Sequence, residues 1–246
     1  MHFYLVDDFV VSKKFEPELN RVEARLTEIG IHGRMEKLTV LKSVVEVIDE
    51  AVRRGADTIV VVGDDRTVSK MVSIVAQHGV PFGLIPIGPH QAIAEFLGIP
   101  HGAAAVEILA RRVKVQVDLG KVGDRYFLMS LDVPESRYAL ECDGRYRVSL
   151  AAAEPMRVCN LGRDETGTHD PHDGVLEAVI GAPRKGFWSF GRAEARESVF
   201  PFKKMTITSE QPLAMTLDGQ TVVKTPVTVE ASSKRLKVIV GRERKF

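Results

Sequence analysis

The feature that most constrains this chain is a doubled strand–turn–helix rhythm between Ala56 and Pro100. Thr58 to Val62 is a short apolar, β-branched run. The turn Gly63-Asp64-Asp65-Arg66 follows, and Val68, Met71, Val72 and Val75 then share one face of an amphipathic helix. A second apolar run, Phe82 to Ile87, ends at Gly88 and predicts another strand with a helix behind it. Repetition of this kind builds a parallel sheet covered by helices. Ligands of open parallel sheets sit at the carboxyl ends of the strands. The turns 63–67 and 88–92 are therefore the first places to look for chemistry.

The flanks extend the pattern. Phe3 to Val6 predicts a first strand, and Leu19, Val22, Leu26 and Ile29 predict a helix over 16–29, with Pro17 in its first turn and Gly30 as its stop. A weak strand is expected near Arg34 to Leu38, a helix from Thr39 to Arg54 closed by Gly55, and one more helix from His101 to Arg111. From Val113 the period changes to two, and short strands separated by Gly, Asp, Pro and Lys run to Val240. That is the pattern of an antiparallel β module. The expected domains are 1–108 and 109–246, with the last strand a candidate to return to the first.

A net charge of +1 gives no global case for nucleic acid. No apolar run approaches the ~20 residues that span a bilayer. The amino-terminal stretch lacks a basic region and meets Asp7 and Asp8 early. Two cysteines, Cys142 and Cys159, form no CxxC pair and read as packing residues of a reducing compartment. A cytoplasmic protein is expected.

Three stretches resemble a known family: GADTIVVVGDDRTVSKMV followed by VPFGLIPIG and LGIP; VCNLGRDETGTHDPHDGVLEAVI; and ITSEQPLAMTLDGQTVVKTPVTVEASSKRLKVIV. They are similar to the catalytic domain of diacylglycerol kinases and of related bacterial lipid kinases and sphingosine kinases. The resemblance implies a three-layer parallel α/β nucleotide-binding domain followed by an antiparallel β-sandwich. It also implies ATP as phosphoryl donor, magnesium, and a lipid hydroxyl as acceptor. NAD kinase is a neighbour that shares the glycine-aspartate turn, but the second and third stretches fit the lipid-kinase branch better.

The departures from the family pattern fall on its working positions. Where the family reads Gly-Gly-Asp-Gly-Thr, this chain has Gly63-Asp64-Asp65-Arg66-Thr67. Asp65 and Thr67 are kept, but Asp64 adds negative charge where a triphosphate would lie. Arg66 has two options, pairing with Asp65 or reaching an anion itself. Gly88-Pro89-His90-Gln91-Ala92 replaces Gly-Thr-x-Asn-Asp, losing a donor at Pro89 and a magnesium-holding carboxylate at Ala92. Asp218-Gly219-Gln220 replaces Asp-Gly-Glu, and Gln220 cannot accept the proton that the family's general base takes. Loss of a positioned base costs ~10²–10⁴-fold in rate. Val6-Asp7-Asp8-Phe9-Val10 stands where an Asn-Pro-x-Ser-Gly phosphate loop is expected.

The resemblance thus implies Asp65, Asp218 and Gln220 as catalytic positions. It places nucleotide contacts at Gly63, Asp64, Arg66, Thr67, Gly88, His90 and Gln91, and a structural magnesium at Asp170 and Asp173. Competing readings are simpler: a solvated turn with a local ion pair at 63–67, and a self-capping Asx turn at 169–174. His169 and His172 would otherwise draw a transition metal to that loop. Phe187-Trp188-Ser189-Phe190 reads either as core or as a contact with a membrane or a second copy. The expected function is a lipid-kinase-like protein that has lost phosphoryl transfer, a pseudokinase with ATP binding in question. The alternative is an active ATP- and magnesium-dependent lipid kinase. A nucleotide or lipid ligand and a homodimer are expected, the latter by analogy.

Overall fold

The computed structural model describes residues 1–39, 43–164, 167–181 and 198–246. The described chain forms two compact units. The first comprises Met1–Val117 with Lys234–Phe246, and the second is Asp118–Ser233.

The first unit is an α/β layer structure. Its strands are β1 (His2–Val6), β2 (Gly33–Lys37), β3 (Thr58–Gly63) and β4 (Phe82–Pro86). They are parallel in the order β2-β1-β3-β4. Every residue of β1, β3 and β4 is buried. Central parallel strands are covered on both faces, which is why they read as apolar runs rather than alternations. The helices are α1 (Glu16–Ile29), α2 (Val44–Arg53), α3 (Asp65–His78), α4 (Ala92–Phe96) and α5 (Ala105–Arg111). Gly30 closes α1 at φ 76°, and Ser43 caps α2 by accepting from the Glu46 N–H. The helix expected from Thr39 is described from Val44, and residues 40–42 lie outside the described ones. The single helix expected over 101–111 is divided into a 3-10 turn, Gly102–Ala104, and α5.

The second unit is antiparallel. β5 (Lys114–Val122) leads from the first unit into it. There follow β6 (Arg125–Phe127), β7 (Ser130–Ser136), β8 (Ala139–Cys142), β9 (Tyr146–Ser149), β10 (Glu154–Cys159), β11 (Gly162–Asp164), β12 (Gly167–His169), β13 (Leu176–Ile180), β14 (Ser198–Phe202), β15 (Lys204–Thr208), β16 (Ala214–Leu217), β17 (Thr221–Lys224) and β18 (Val227–Ile239). One sheet runs β14-β13-β10-β7-β16-β17. The amino-terminal part of β18 pairs with β15, which pairs with β8 and then β9. Leu131, Val133, Met156, Val158, Met205, Ile207, Met215 and Leu217 are all at most 3% exposed and share one core. The period-two alternation that predicts these strands is this inward-facing set. β18 continues into the first unit, where Val238 is in register with Phe82 of β4.

No helix among the described residues is long and apolar enough to cross a membrane. The motif 187–190 lies outside the described residues.

Candidate functional site

In the first unit, the carboxyl ends of β1, β3 and β4 carry the sequence-predicted turns. Gly63 ends β3, and Asp64 is the N-cap of α3. Its buried carboxylate accepts from the Arg66 backbone N–H at 3.1 Å and from the Arg66 guanidinium at 3.1 and 2.9 Å. Arg66 therefore pairs with Asp64 and not with Asp65. That pairing also raises the already high pKa of the guanidinium.

Asp65 faces the other turn. Its N–H donates to the His90 carbonyl at 2.9 Å. Its two carboxylate oxygens accept from the Ala92 and Ile93 N–H groups at 2.8 and 3.1 Å, capping α4. Burial raises the Asp65 pKa, and these two donors partly oppose the rise. The Thr67 N–H donates to the Asp64 carbonyl at 2.9 Å, and its hydroxyl donates to Asp7 at 2.7 Å.

The orphan amides at the start of a helix are its anion-binding groups. In α3 the amides of residues 65, 66 and 67 all have acceptors within the chain.

Asp7, 7% exposed, follows β1 directly. Burial and a hydrogen bond from Asp8 raise its pKa, and the same bond lowers that of Asp8. The next residue, Phe9, lies against Gly88. Gly88 has φ 121°, and a Cβ there would stand 3.1 Å from the Phe9 ring and from the Asp64 Cβ. Gln91 folds back to donate from Nε2 to the Gly88 carbonyl at 2.6 Å, while the His90 side chain is exposed. Sequence reasoning missed the Asp7–Thr67 link and the placing of Phe9. Its only signal was the acidic stretch in place of a phosphate loop.

In the second unit, Asp218 stands at the β16–β17 turn with φ 47°. Its carboxylate accepts from three successive N–H groups, those of Leu128, Met129 and Ser130, at 2.9, 2.8 and 3.0 Å. Gln220 is exposed two residues on, its N–H turned back to the Leu217 carbonyl. Asn160, missed as a site residue although it begins the second family-like stretch, is 2% exposed. It donates to the carbonyls of Asp118 and Leu128 at 3.0 and 2.7 Å. Asp118, 1% exposed, holds the Gly174 N–H at 2.7 Å.

The loop predicted to hold metal is tied down by protein groups. Asp170 accepts from the backbone N–H of His172 and bonds its ring, and Asp173 accepts from the Val175 N–H. Both carboxylates are exposed Asx caps. His169 points elsewhere, bonding Glu177. No group of three His, Cys, Asp or Glu residues converges as metal ligands among the described residues. Magnesium is octahedral and usually takes one or two carboxylates with waters and phosphates. Asp170 and Asp173 are each engaged in a turn of their own.

Residues 5–122 match the family model described as diacylglycerol kinase catalytic domain. Over these residues, just under half of the chain, it is similar to the diacylglycerol kinase catalytic-domain family. Relatives include a Klebsiella pneumoniae (strain 342) protein named "Probable lipid kinase YegS-like", 26% identical over 113 residues, covering 45% of this chain and 38% of that one. A Mycobacterium tuberculosis (strain H37Rv) protein named "Diacylglycerol kinase" is 33% identical over 76 residues, covering 30% of this chain and 25% of that one. The matches thus span well under half of either relative's length. A solved diacylglycerol kinase structure from Bacillus anthracis strain Sterne superposes with a TM-score of 0.79 at 16% identity, over 98% of this chain and 97% of that one. The family fold, an α/β layer with a second antiparallel unit, is thus present nearly end to end.

Proposed function

We propose that this lipid-kinase-like chain has given up phosphoryl transfer and serves as a non-catalytic binding module. One observation carries the reading: the groups that a nucleotide phosphate would need are already bonded within the chain. Three of the four orphan amides of α3, those of residues 65, 66 and 67, have protein acceptors, and the one cation of the turn, Arg66, is paired with Asp64. An incoming triphosphate would have to displace these bonds and face Asp7, Asp8, Asp64 and Asp65. Phosphoryl transfer rests on positioning and on electrostatic stabilisation of the transferred group, and this turn offers neither.

Asp218 supports the same reading. Its carboxylate orders the 128–130 backbone, and Gln220 has no basicity to take a proton. ATP does not fit the turn as built, so no step is assigned to it.

The retained Gly63, Asp65 and Thr67 favour the alternative, an active lipid kinase. The two readings separate in an assay with radiolabelled ATP, magnesium and diacylglycerol in mixed micelles. Wild-type protein is expected to form no phospholipid product, whereas turnover by wild-type protein overturns the proposal. Product from the Asp64→Gly, Arg66→Gly, Gln220→Glu variant alone would identify these three positions as the ones at which activity was lost.

A further inference from the structure

We propose that the tail, residues 240–246, is a strap that sets the position of the Gly88–Gln91 turn by acting through α4. With five residues, α4 rises only about 7.5 Å and is far too short to be stable by itself. It has no side-chain N-cap of its own. Ile93 and Ala94 bury its inner face, and two outside backbone anchors fix its ends. At the amino end, Asp65 takes the Ala92 and Ile93 N–H groups. At the carboxyl end, the tail is the anchor: the Gly241 N–H donates to the Leu97 carbonyl and the Lys245 N–H to the Phe96 carbonyl, both at 2.9 Å.

The backbones meet with no room for a side chain. A Cβ on Gly98, whose φ is 67°, would stand 2.5 Å from the Arg244 nitrogen, and one on Gly241 would run into the Gly98 carbonyl oxygen. The Lys245 ammonium lies 5.3 Å above the Phe96 ring and 3.7 Å from the Glu95 carboxylate. These exposed contacts are weak, so the two backbone bonds and the glycine contact do the holding. The tail, α4 and Asp65 form one chain of contacts. A displaced tail moves α4, and α4 carries the 88–91 turn with it. The inference is independent of which ligand, if any, faces that turn.

Hydrogen exchange resolved by residue tests it in the full chain. Lys245→Pro removes the donor to Phe96 without touching the core, Gly98→Ala disrupts the glycine contact, and Lys245→Ala keeps the backbone N–H as a control. Exchange at Ala92 and Ile93 is expected to rise at least tenfold in Lys245→Pro and Gly98→Ala, and to change less than threefold in Lys245→Ala. The amides of β3 are expected to stay protected in all three. Wild-type protection at Ala92 and Ile93 in Lys245→Pro would overturn the strap, and so would equal loss across β3, which would make the tail an ordinary contributor to global stability. Should Gly98→Ala fail to fold, Lys245→Pro decides alone.

Discussion

Asp65 and Asp218 occupy equivalent stations in the two units: each is the acidic residue retained from a family motif whose neighbours have changed. Each has become a backbone clamp. Asp65 holds two amides of α4, and Asp218 holds three successive amides of the 128–130 turn. Their surroundings differ. Asp65 sits beside Asp64, whose cation Arg66 is already engaged, and burial raises its pKa. Asp218 sits beside the uncharged, exposed Gln220. A motif aspartate that survives thus need not be a catalytic one. A fold can use such a carboxylate for its acceptor oxygens alone.

Removing a clamp gives the largest expected effect. Asp218→Ala leaves three amides without their acceptor and places alanine at φ 47°, so urea denaturation should show a loss of about 3 kcal/mol. A loss under about 1 kcal/mol would mean that the carboxylate is not the organiser of that corner. Next comes the pair in the first turn. Arg66→Ala leaves the buried Asp64 carboxylate without its cation and should cost about 2 kcal/mol. The Asp64→Ala, Arg66→Ala double variant should cost less than the sum of the two single changes, because the orphaned charge goes too. Strict additivity in this cycle would show that the two side chains are not coupled.

The pH dependence sharpens the contrast between engaged and crowded carboxylates. Asp57 bonds the N-terminal ammonium, which holds its pKa near 2 against an ordinary 3.8. Its contribution is complete above 3.8 and is lost as the pH falls toward 2. Asp65 has the opposite sign. With its pKa raised, the folded state keeps a proton that the unfolded chain has released, so stability falls as the pH climbs from 3.8 through the raised value. Asp65→Asn should remove that decline, as read from urea midpoints across pH 3 to 7, and an unchanged profile would leave Asp65 without this role.

Much of the first unit was legible because strands buried on both faces must read as apolar runs, and Thr58–Val62 and Phe82–Ile87 do. The alternation after Val113 likewise reported the inward faces of the second unit. The site was legible only as positions. Arg66 was expected to pair with Asp65 or to reach an anion, but it takes Asp64, because Asp65 is drawn to Ala92 and Ile93, 27 and 28 residues away. The Asp7–Thr67 bond spans 60 residues and leaves no local signal. Turn-capping and metal-binding aspartates share one sequence pattern, so Asp170 and Asp173 read equally as either.

The smallest effect belongs to Gln220→Glu. The side chain is exposed, so stability should move by less than about 0.5 kcal/mol, and the single change should restore no turnover while Asp64 and Arg66 stand. Turnover from Gln220→Glu alone would place the whole defect in the second unit and break the comparison.

The most direct measurement is calorimetric titration of the purified, metal-stripped protein with ATP, with and without magnesium. The account predicts no saturable heat in either case at submillimolar nucleotide, because the amides and the cation of the first turn are already bonded. Magnesium-dependent binding in the micromolar range would contradict it and return the chain to the active lipid kinases.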